Sequence, residues 1–493
     1  MPGTPAHLLP DVIDAAYQAG AMLEAEFVRP DGPRFSDHVT CPVDHEMEMY
    51  LRDRLVALFP ARFVGEEAGV LAAEANGYCW VVDPHDGTRA FLEGRRGSAV
   101  SVALLRDGIP VLGVVYAPLS PDRGPDMISW AEGTPGIVRN GVLVPIDLRE
   151  RRLTATDVVF LNHGVWQRPV WNGLAVAPGR FMPLPSIAYR LARVAVGDGL
   201  ATVTLRPVNA HDVAAGHALL LAAGGVLTAE DGAPVVYDDQ GQSRPSACFG
   251  GAPLVVEYLR GRQWRGSTEA RRDQRVVLNW PRAVPEAIVD RAVGCLMGMA
   301  VGNALGGLVE GMSAESIARA YPSGLRDLHD GGVHGALAGQ LTPAGEAAIL
   351  LARTALAEGV LPATDRARDH AGLVTALRTA ITGAIPVAPD GMALGRAFEH
   401  LAAGTSLEDA IIQTVAQGGD TAVNAAIVGA VLGAVQGRAA VPVRWAMPVL
   451  TCRPDAACQA AGLPISDARP EQHWADDVTD LAEALLLRLQ THM

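Results

Sequence analysis

Short apolar runs rich in β-branched residues occupy the first half of this chain and disappear from about residue 285. That switch constrains the fold most, because a period-2 pattern and a period-3.6 pattern cannot share one sheet or one bundle. "YCWVVD" (78–83), "AVSVALL" (99–105) and "VLGVVYAP" (111–118) are bounded by turn residues and read as strands. "LLPDVIDAAYQAGAMLEAEF", "DHEMEMYLRDRLVALF", "IAYRLARVAVGDG" and "HDVAAGHALLLAAGG" carry helical spacing between them. The first half is therefore α/β or α+β. The later segments "VDRAVGCLMGMAVGNALGGLVEGM", "GEAAILLARTALAEG", "HAGLVTALRTAITGAI", "LEDAIIQTVAQGGDTAVNAAIVGAVLGAVQG" and "VTDLAEALLLRLQ" all read as helices. Between the halves, "RGRQWRGSTEARRDQR" is polar, Arg-rich and without period, which marks a linker. The expected division is a first domain over 1–262, a linker over 263–285 and an all-α domain over 286–493.

The 54 acidic residues exceed the 40 basic ones, for a net charge of −14. Such a surface repels nucleic acid phosphates and anionic membranes, so neither is expected as a partner. No lysine occurs, so anion binding falls to Arg, backbone N–H groups or metal ions. The six cysteines are scattered without a Cys-x-x-Cys pair, which suits a reducing, cytoplasmic setting with buried thiols. The N-terminus has no basic start and no sustained apolar stretch, unlike a signal peptide. No window is expected to span a membrane, "AAIVGAVLGAVQG" coming closest.

Acidic residues recur at strand ends and helix starts. Asp44 lies in "VTCPVDHEME", Glu66 and Glu67 in "FVGEEAG", Asp83 and Asp86 in "WVVDPHDGT", and Asp212 in "NAHDVAAG". Asp44 or Asp212 alone has an ordinary reading as a helix cap. Two acids around Pro84 do not, since they present both carboxylates and the intervening carbonyl on one rim suited to a hard cation. Asp86-Gly87-Thr88 reads as a strand-to-helix turn whose N–H groups face an anion.

"GEE", "WVVDPHDGT" and "HDVAAG", in this order and with the helix "LPSIAYRLARVAVGDG" before the last, resemble the inositol monophosphatase-like family of magnesium-dependent phosphatases. The closing "ACFGGAPLVVEYL" resembles that family's last strand and helix. The resemblance implies a layered αβαβα fold and hydrolysis of a small phosphorylated metabolite. By position it implies two or three Mg²⁺ held by Glu66, Asp83, the His85 carbonyl, Asp86 and Asp212. Asp44, Glu66 and Thr88 would be catalytic, with Asp44 and Thr88 orienting or deprotonating the attacking water, and Gly87 and Thr88 would hold the phosphate. Departures concern the substrate. His211 replaces the family's Trp, Leu205 falls where an inositol-contacting acid is usual, and Arg89 and Arg206 stand beside the motifs. His211, Arg89 and Arg206 are therefore candidate substrate contacts, and sugar phosphates, nucleoside phosphates and bisphosphates stand beside inositol phosphate as substrates.

"GCLMGMAVGNALGGLVE" (294–310) and "GGDTAVNAAIVGAVLGAVQG" (418–437) resemble the ADP-ribosylglycohydrolase family, which holds two Mg²⁺ with several acids. Here Asn303, Pro343, Ala344 and Ala422 stand where such acids belong. A charge-poor site does not offset the dehydration of Mg²⁺. The expectation is a domain without hydrolysis of its own, with Asp420 as a helix cap. Ligand sensing, substrate presentation, homodimer formation and simple support are its open roles. Active ADP-ribose chemistry or a nucleotide-sensing scaffold are the competing functions.

Overall fold

The computed structural model describes residues 4–29, 32–34, 41–67, 69–71, 76–92, 94–121, 123–162, 169–264, 286–358, 393–460, 463, 465 and 467–491. The expected helix over 370–385 and most of the expected linker lie outside the described residues. The chain divides into two compact units, one of residues 1–168 and 174–265, the other of 169–173 and 266–493.

The first unit follows the order α1 (Leu9–Phe27), α2 (Pro42–Leu58), β1 (Arg62–Gly65), β2 (Val70–Leu71), β3 (Tyr78–Asp86), α3 (Thr88–Leu92), β4 (Ala99–Arg106), β5 (Ile109–Ala117), β6 (Asp126–Ala131), β7 (Val138–Arg139), β8 (Val142–Leu143), β9 (Val158–Leu161), α4 (Pro169–Val176), β10 (Arg180–Pro183), α5 (Ile187–Ala195), β11 (Ala201–Thr204), α6 (Ala210–Ala222), β12 (Val226–Ala229), β13 (Cys248–Gly251) and α7 (Pro253–Arg260). An eight-stranded sheet runs β2-β1-β3-β4-β5-β6-β7-β8, and a five-stranded sheet runs β10-β9-β11-β13-β12. α1 and α2 cover one face of the larger sheet. α5 and α6 touch both sheets and form the middle layer, and α7 lies against β12 and β13. This is the layered αβαβα arrangement. Leu23, Met47, Leu51, Trp80 and Phe63 are fully buried between α1, α2 and the sheet. β3 and β4 are buried along almost their whole length, since helices lie on both faces.

The regular elements of the second unit among its described residues are all helices. α8 (Glu286–Gly307) lies along the helix Thr421–Gln436. Gly294, Gly298, Gly302 and Gly306 recur every four residues, so they form one stripe on α8. A Cβ on Gly298 would stand 2.1 Å from the Gly429 carbonyl oxygen, and one on Gly302 2.2 Å from that of Ala425. One finding corrects the sequence expectations. Ala287–Gly307, 21 residues, is by length and composition alone apolar enough to cross a membrane. Its apolar face is instead a packing face, with 61% of the stretch buried. Asp420 is the N-cap residue of its helix, as expected, although its side chain makes no capping hydrogen bond.

Candidate active site

Residues i and i+3 of a regular strand point to opposite faces. β3 escapes this through a bulge, because Asp83 pairs with Ser101 and Asp86 with Ala99, three steps on β3 against two on β4. The extra residue turns Asp86 to the side of Asp83. Pro84 sits inside the bulge, where the ladder needs no N–H. The result is a cluster in which carboxylate oxygens of Asp83, Asp86 and Asp212 lie within 4.8 Å of one another. A second set joins Glu66, Asp83 and a ring nitrogen of His211 within the same distance, so Asp83 belongs to both. His211, expected at the substrate, thus also stands among metal-capable donors.

Asp83, Asp86 and Asp212 are each tied to the frame through one oxygen. Asp83 Oδ1 accepts from the His85 N–H at 2.9 Å. Asp86 Oδ2 accepts from Ser186 Oγ and from the Ala188 N–H, each at 2.7 Å, at the start of α5. Asp212 is the third residue of α6, and its Oδ2 accepts from the Asn209 N–H at 2.5 Å. The capping and site readings of Asp212 are therefore not alternatives, since one oxygen closes the helix while the carboxylate also meets Asp83 and Asp86. Asp44 caps α2 in the same way, its Oδ2 accepting from the Cys41 N–H at 3.3 Å.

Burial and mutual repulsion dominate the electrostatics. Asp83 is held well above the carboxylate range, first by burial and then by the charges of Glu66, Asp86 and Asp212. Burial and Asp212 push Asp86 up to about 6, against the lowering effect of its Ser186 and Ala188 hydrogen bonds. Glu66 is exposed as a residue, yet its carboxyl end is desolvated and faces Asp212, Asp86 and Glu67, which push it up to about 8. Burial likewise raises Asp212. Arg190, fully buried on α5, opposes this with a positive charge near Asp86 and Asp212, and burial lowers it to about 10. Four acids that repel one another in a desolvated corner fit a divalent cation. Burial pushes His211 down to about 4, leaving a neutral ring with a lone pair.

Beside the cluster, His85 Nδ1 lies 2.6 Å from Asp44 Oδ1 in a fully buried pair. Thr88 Oγ1 donates to the His85 carbonyl at 2.8 Å and lies 3.4 Å from Asp44 Oδ2. A carbonyl has two lone pairs, so that bond leaves the His85 oxygen able to take a cation as well. Gly87 links β3 to α3 at φ +106°, a conformation closed to most residues with a Cβ. Arg206 is exposed and near enough for its charge to favour the Asp212 carboxylate, while Arg89 is exposed on α3. Sequence reasoning missed Ser186, Arg190 and the His85 side chain. Ser186 carried a signal, since it is a helix-cap residue four positions before Arg190.

Residues 9–247 match the model of the inositol monophosphatase family, and residues 284–404 and 374–491 match that of ADP-ribosylglycohydrolase. An inositol-1-monophosphatase of Mesorhizobium japonicum is 32% identical over 47% of this chain and 89% of its own length. A putative Nus factor SuhB of Neisseria meningitidis is 31% identical over 44% of this chain and 86% of its own. The 3'(2'),5'-bisphosphate nucleotidase CysQ of Escherichia coli is 31% identical over 32% of this chain and 61% of its own. With the acid cluster on a bulged strand of a layered sheet, these relationships make the chain a phosphatase: it belongs to the inositol monophosphatase family through its N-terminal half and carries an ADP-ribosylglycohydrolase domain in its C-terminal half.

Proposed function

We propose that the N-terminal unit hydrolyses a phosphomonoester of a small metabolite in a Mg²⁺-dependent reaction. The observation that carries this is the pair of donor sets sharing Asp83, the arrangement that suits two neighbouring ions. Glu66, Asp83, Asp86, Asp212 and the His85 carbonyl are the proposed ligands. Bound Mg²⁺ supplies charge neutralisation for the phosphate oxygens and acidifies water. The chain's own groups do the rest. The His85 imidazole and the Cys41 N–H fix both oxygens of Asp44. Thr88 commits its hydrogen to the His85 carbonyl, so its oxygen is an acceptor that orients the attacking water. Asp44, beside Thr88, takes that water's proton. Gly87 and Thr88 offer backbone N–H groups to the phosphate. The experiment is phosphate release from inositol, sugar and nucleoside phosphates with Mg²⁺ and with EDTA. Release of at least one class with Mg²⁺, abolished by EDTA, is the expected result; release indifferent to EDTA rejects the assignment.

The C-terminal domain is proposed to hydrolyse nothing. Asn303, where a related acid belongs, accepts from the Thr342 N–H at 2.9 Å and donates to Thr342 Oγ1 at 3.0 Å. Asn303 is thus a neutral amide held by Thr342, where a metal site would need a charged carboxylate. The nearby acid Glu346 is taken by Arg469 and His473, each at 2.9 Å. Both metal-capable groups found among the described residues belong to the first unit. The full-length protein is therefore expected to release no ADP-ribose from ADP-ribosylated protein at any Mg²⁺ concentration. Mg²⁺-dependent release that persists in Asp83→Asn would make the protein bifunctional.

A further inference from the structure

His211 is the second residue of α6, and it brings a nitrogen donor to a centre otherwise made of oxygen. One of its ring nitrogens and carboxylate oxygens of Glu66 and Asp83 lie within 4.8 Å of one another. Donors about 2.1 Å from a shared ion stand at most about 4.2 Å apart, so a closure of about half an ångström joins all three. The ring is not committed elsewhere. Among the described residues neither ring nitrogen makes a hydrogen bond, and Asp212 Oδ1 stands 4.0 Å from Nε2, beyond hydrogen-bond reach. The side chain is only 12% exposed. What exposure it has faces a cavity of about 730 Å³ that Glu66 also lines, a path for an ion and its water.

The frame fixes the three donors against one another. β1 pairs in parallel with β3, Gly65 opposite Val82, so Glu66 leaves the sheet beside Asp83. Ser101 is the cross-strand partner of Asp83 on β4, and its Oγ donates to the His211 carbonyl at 3.3 Å. The backbone that bears His211 is thereby tied to the strand pair that bears Asp83. Asp212, the next residue, closes the first turn of α6 through the Asn209 N–H. An ion at this position therefore meets donors from three separate elements, each held by backbone pairing or a backbone hydrogen bond.

The two groups that share Asp83 differ in chemistry. Asp83, Asp86 and Asp212 offer oxygen alone, the donor set of a hard ion such as Mg²⁺. Glu66, Asp83 and His211 add an imidazole, a softer donor that favours first-row transition ions. The tryptophan that the family resemblance implies at position 211 has an indole N–H and no lone pair to give, so this donor belongs to the present chain. We infer that His211 ligates an ion together with Glu66 and Asp83, and that this position takes a divalent transition ion ahead of Mg²⁺, while the all-oxygen position keeps Mg²⁺. This rests on the metal centre of the phosphatase reading and names the class of ion at one of its two positions.

The test uses Mn²⁺ alone, added to the metal-free full-length protein and followed by electron paramagnetic resonance. Loss of the free-ion signal gives its affinity, and pulsed spectra report nitrogen nuclei bonded to the bound ion. Wild type is expected to bind Mn²⁺ with a coupled imidazole nitrogen, and at least about tenfold more tightly than Mg²⁺ in competition. His211 is the one histidine in the metal-capable groups among the described residues, so the coupling has a single expected source. His211→Phe keeps a ring and removes both nitrogens. It is expected to lose the coupling and to weaken Mn²⁺ by about tenfold or more, with Mg²⁺ affinity changed far less. His211→Asn, a smaller change at the helix start, is expected to do the same and guards against a misfolded phenylalanine variant. Bound Mn²⁺ without nitrogen coupling in wild type overturns the inference and leaves the phosphatase reading standing, as does coupling that survives in either variant. Failure of wild type to bind Mn²⁺ or Mg²⁺ at all removes the metal centre, and with it both readings.

Discussion

Asp83→Asn is expected to lower phosphate release by about 10³-fold or more, on the order of 4 kcal/mol of transition-state stabilisation, while making the metal-free protein more stable. Both effects follow from one geometry. Asp83 is shared by the two donor sets, so its loss removes a ligand from each. It is also fully buried beside Glu66, Asp86 and Asp212, all of which disfavour its charge. Without a cation, that repulsion is a cost of the folded state only. A carboxyl that holds its proton more tightly folded than unfolded stabilises the fold below about pH 4, the unfolded value. That contribution is lost as pH rises through about 6 for Asp86 and about 8 for Glu66. The metal-free wild type should therefore lose thermal stability between pH 5 and 8, and Mg²⁺ should restore more of it at pH 8 than at pH 5. Asp83→Asn should melt about 2–4 °C above metal-free wild type at pH 8, the equivalent of about 1 kcal/mol in a unit of this size, with a smaller response to Mg²⁺. A folded Asp83→Asn protein with near-normal turnover would remove the acid cluster from the reaction. Melting below the metal-free wild type would show that the carboxylate is compensated by something other than a cation.

How much of this was legible follows from how local each feature is. "DPHDGT" announces its chemistry because the bulge that turns Asp83 and Asp86 to one side needs only Pro84 and the intervening residue, all within four positions. Asp44 and Asp212 were legible as helix-start acids, and their double use was not, because the second oxygen's partner comes from another element. The pairing of His85 with Asp44 spans 41 residues, and that of Ser186 with Asp86 spans 100. No pattern along the chain encodes such contacts; the sheet order does. Arg206 was conspicuous only because it sits six residues before Asp212. In the helical half, the missing acids were plain. The reason for the membrane-like composition of α8 was not, because it lies in the partner helix.

Gly298→Leu is expected to unfold the C-terminal unit, and Gly298→Ala to destabilise it, although alanine is the better helix former. Replacing glycine by alanine inside a helix gains about 1 kcal/mol in intrinsic propensity. Against that stands the space. The new Cβ would lie 2.1 Å from the Gly429 carbonyl oxygen and 2.7 Å from its carbon. The opposing atoms are backbone, so no side chain can rotate away. The contact is also repeated, Gly294 meeting Gly433 and Gly306 meeting Thr421 in the same manner, so the two helices cannot separate at one point without losing the others. Overpacking a well-filled core costs about 1–3 kcal/mol when neighbours can yield, and here the rigid partners place the cost at or above the upper end. The net effect of Gly298→Ala is then a loss of roughly 2 kcal/mol or more, visible as a lower melting transition by calorimetry or a lower urea midpoint. For leucine the volume is several times larger and the helix pair cannot close. A rise in melting temperature for Gly298→Ala, in line with propensity alone, would show that α8 and the helix Thr421–Gln436 do not approach through their backbones.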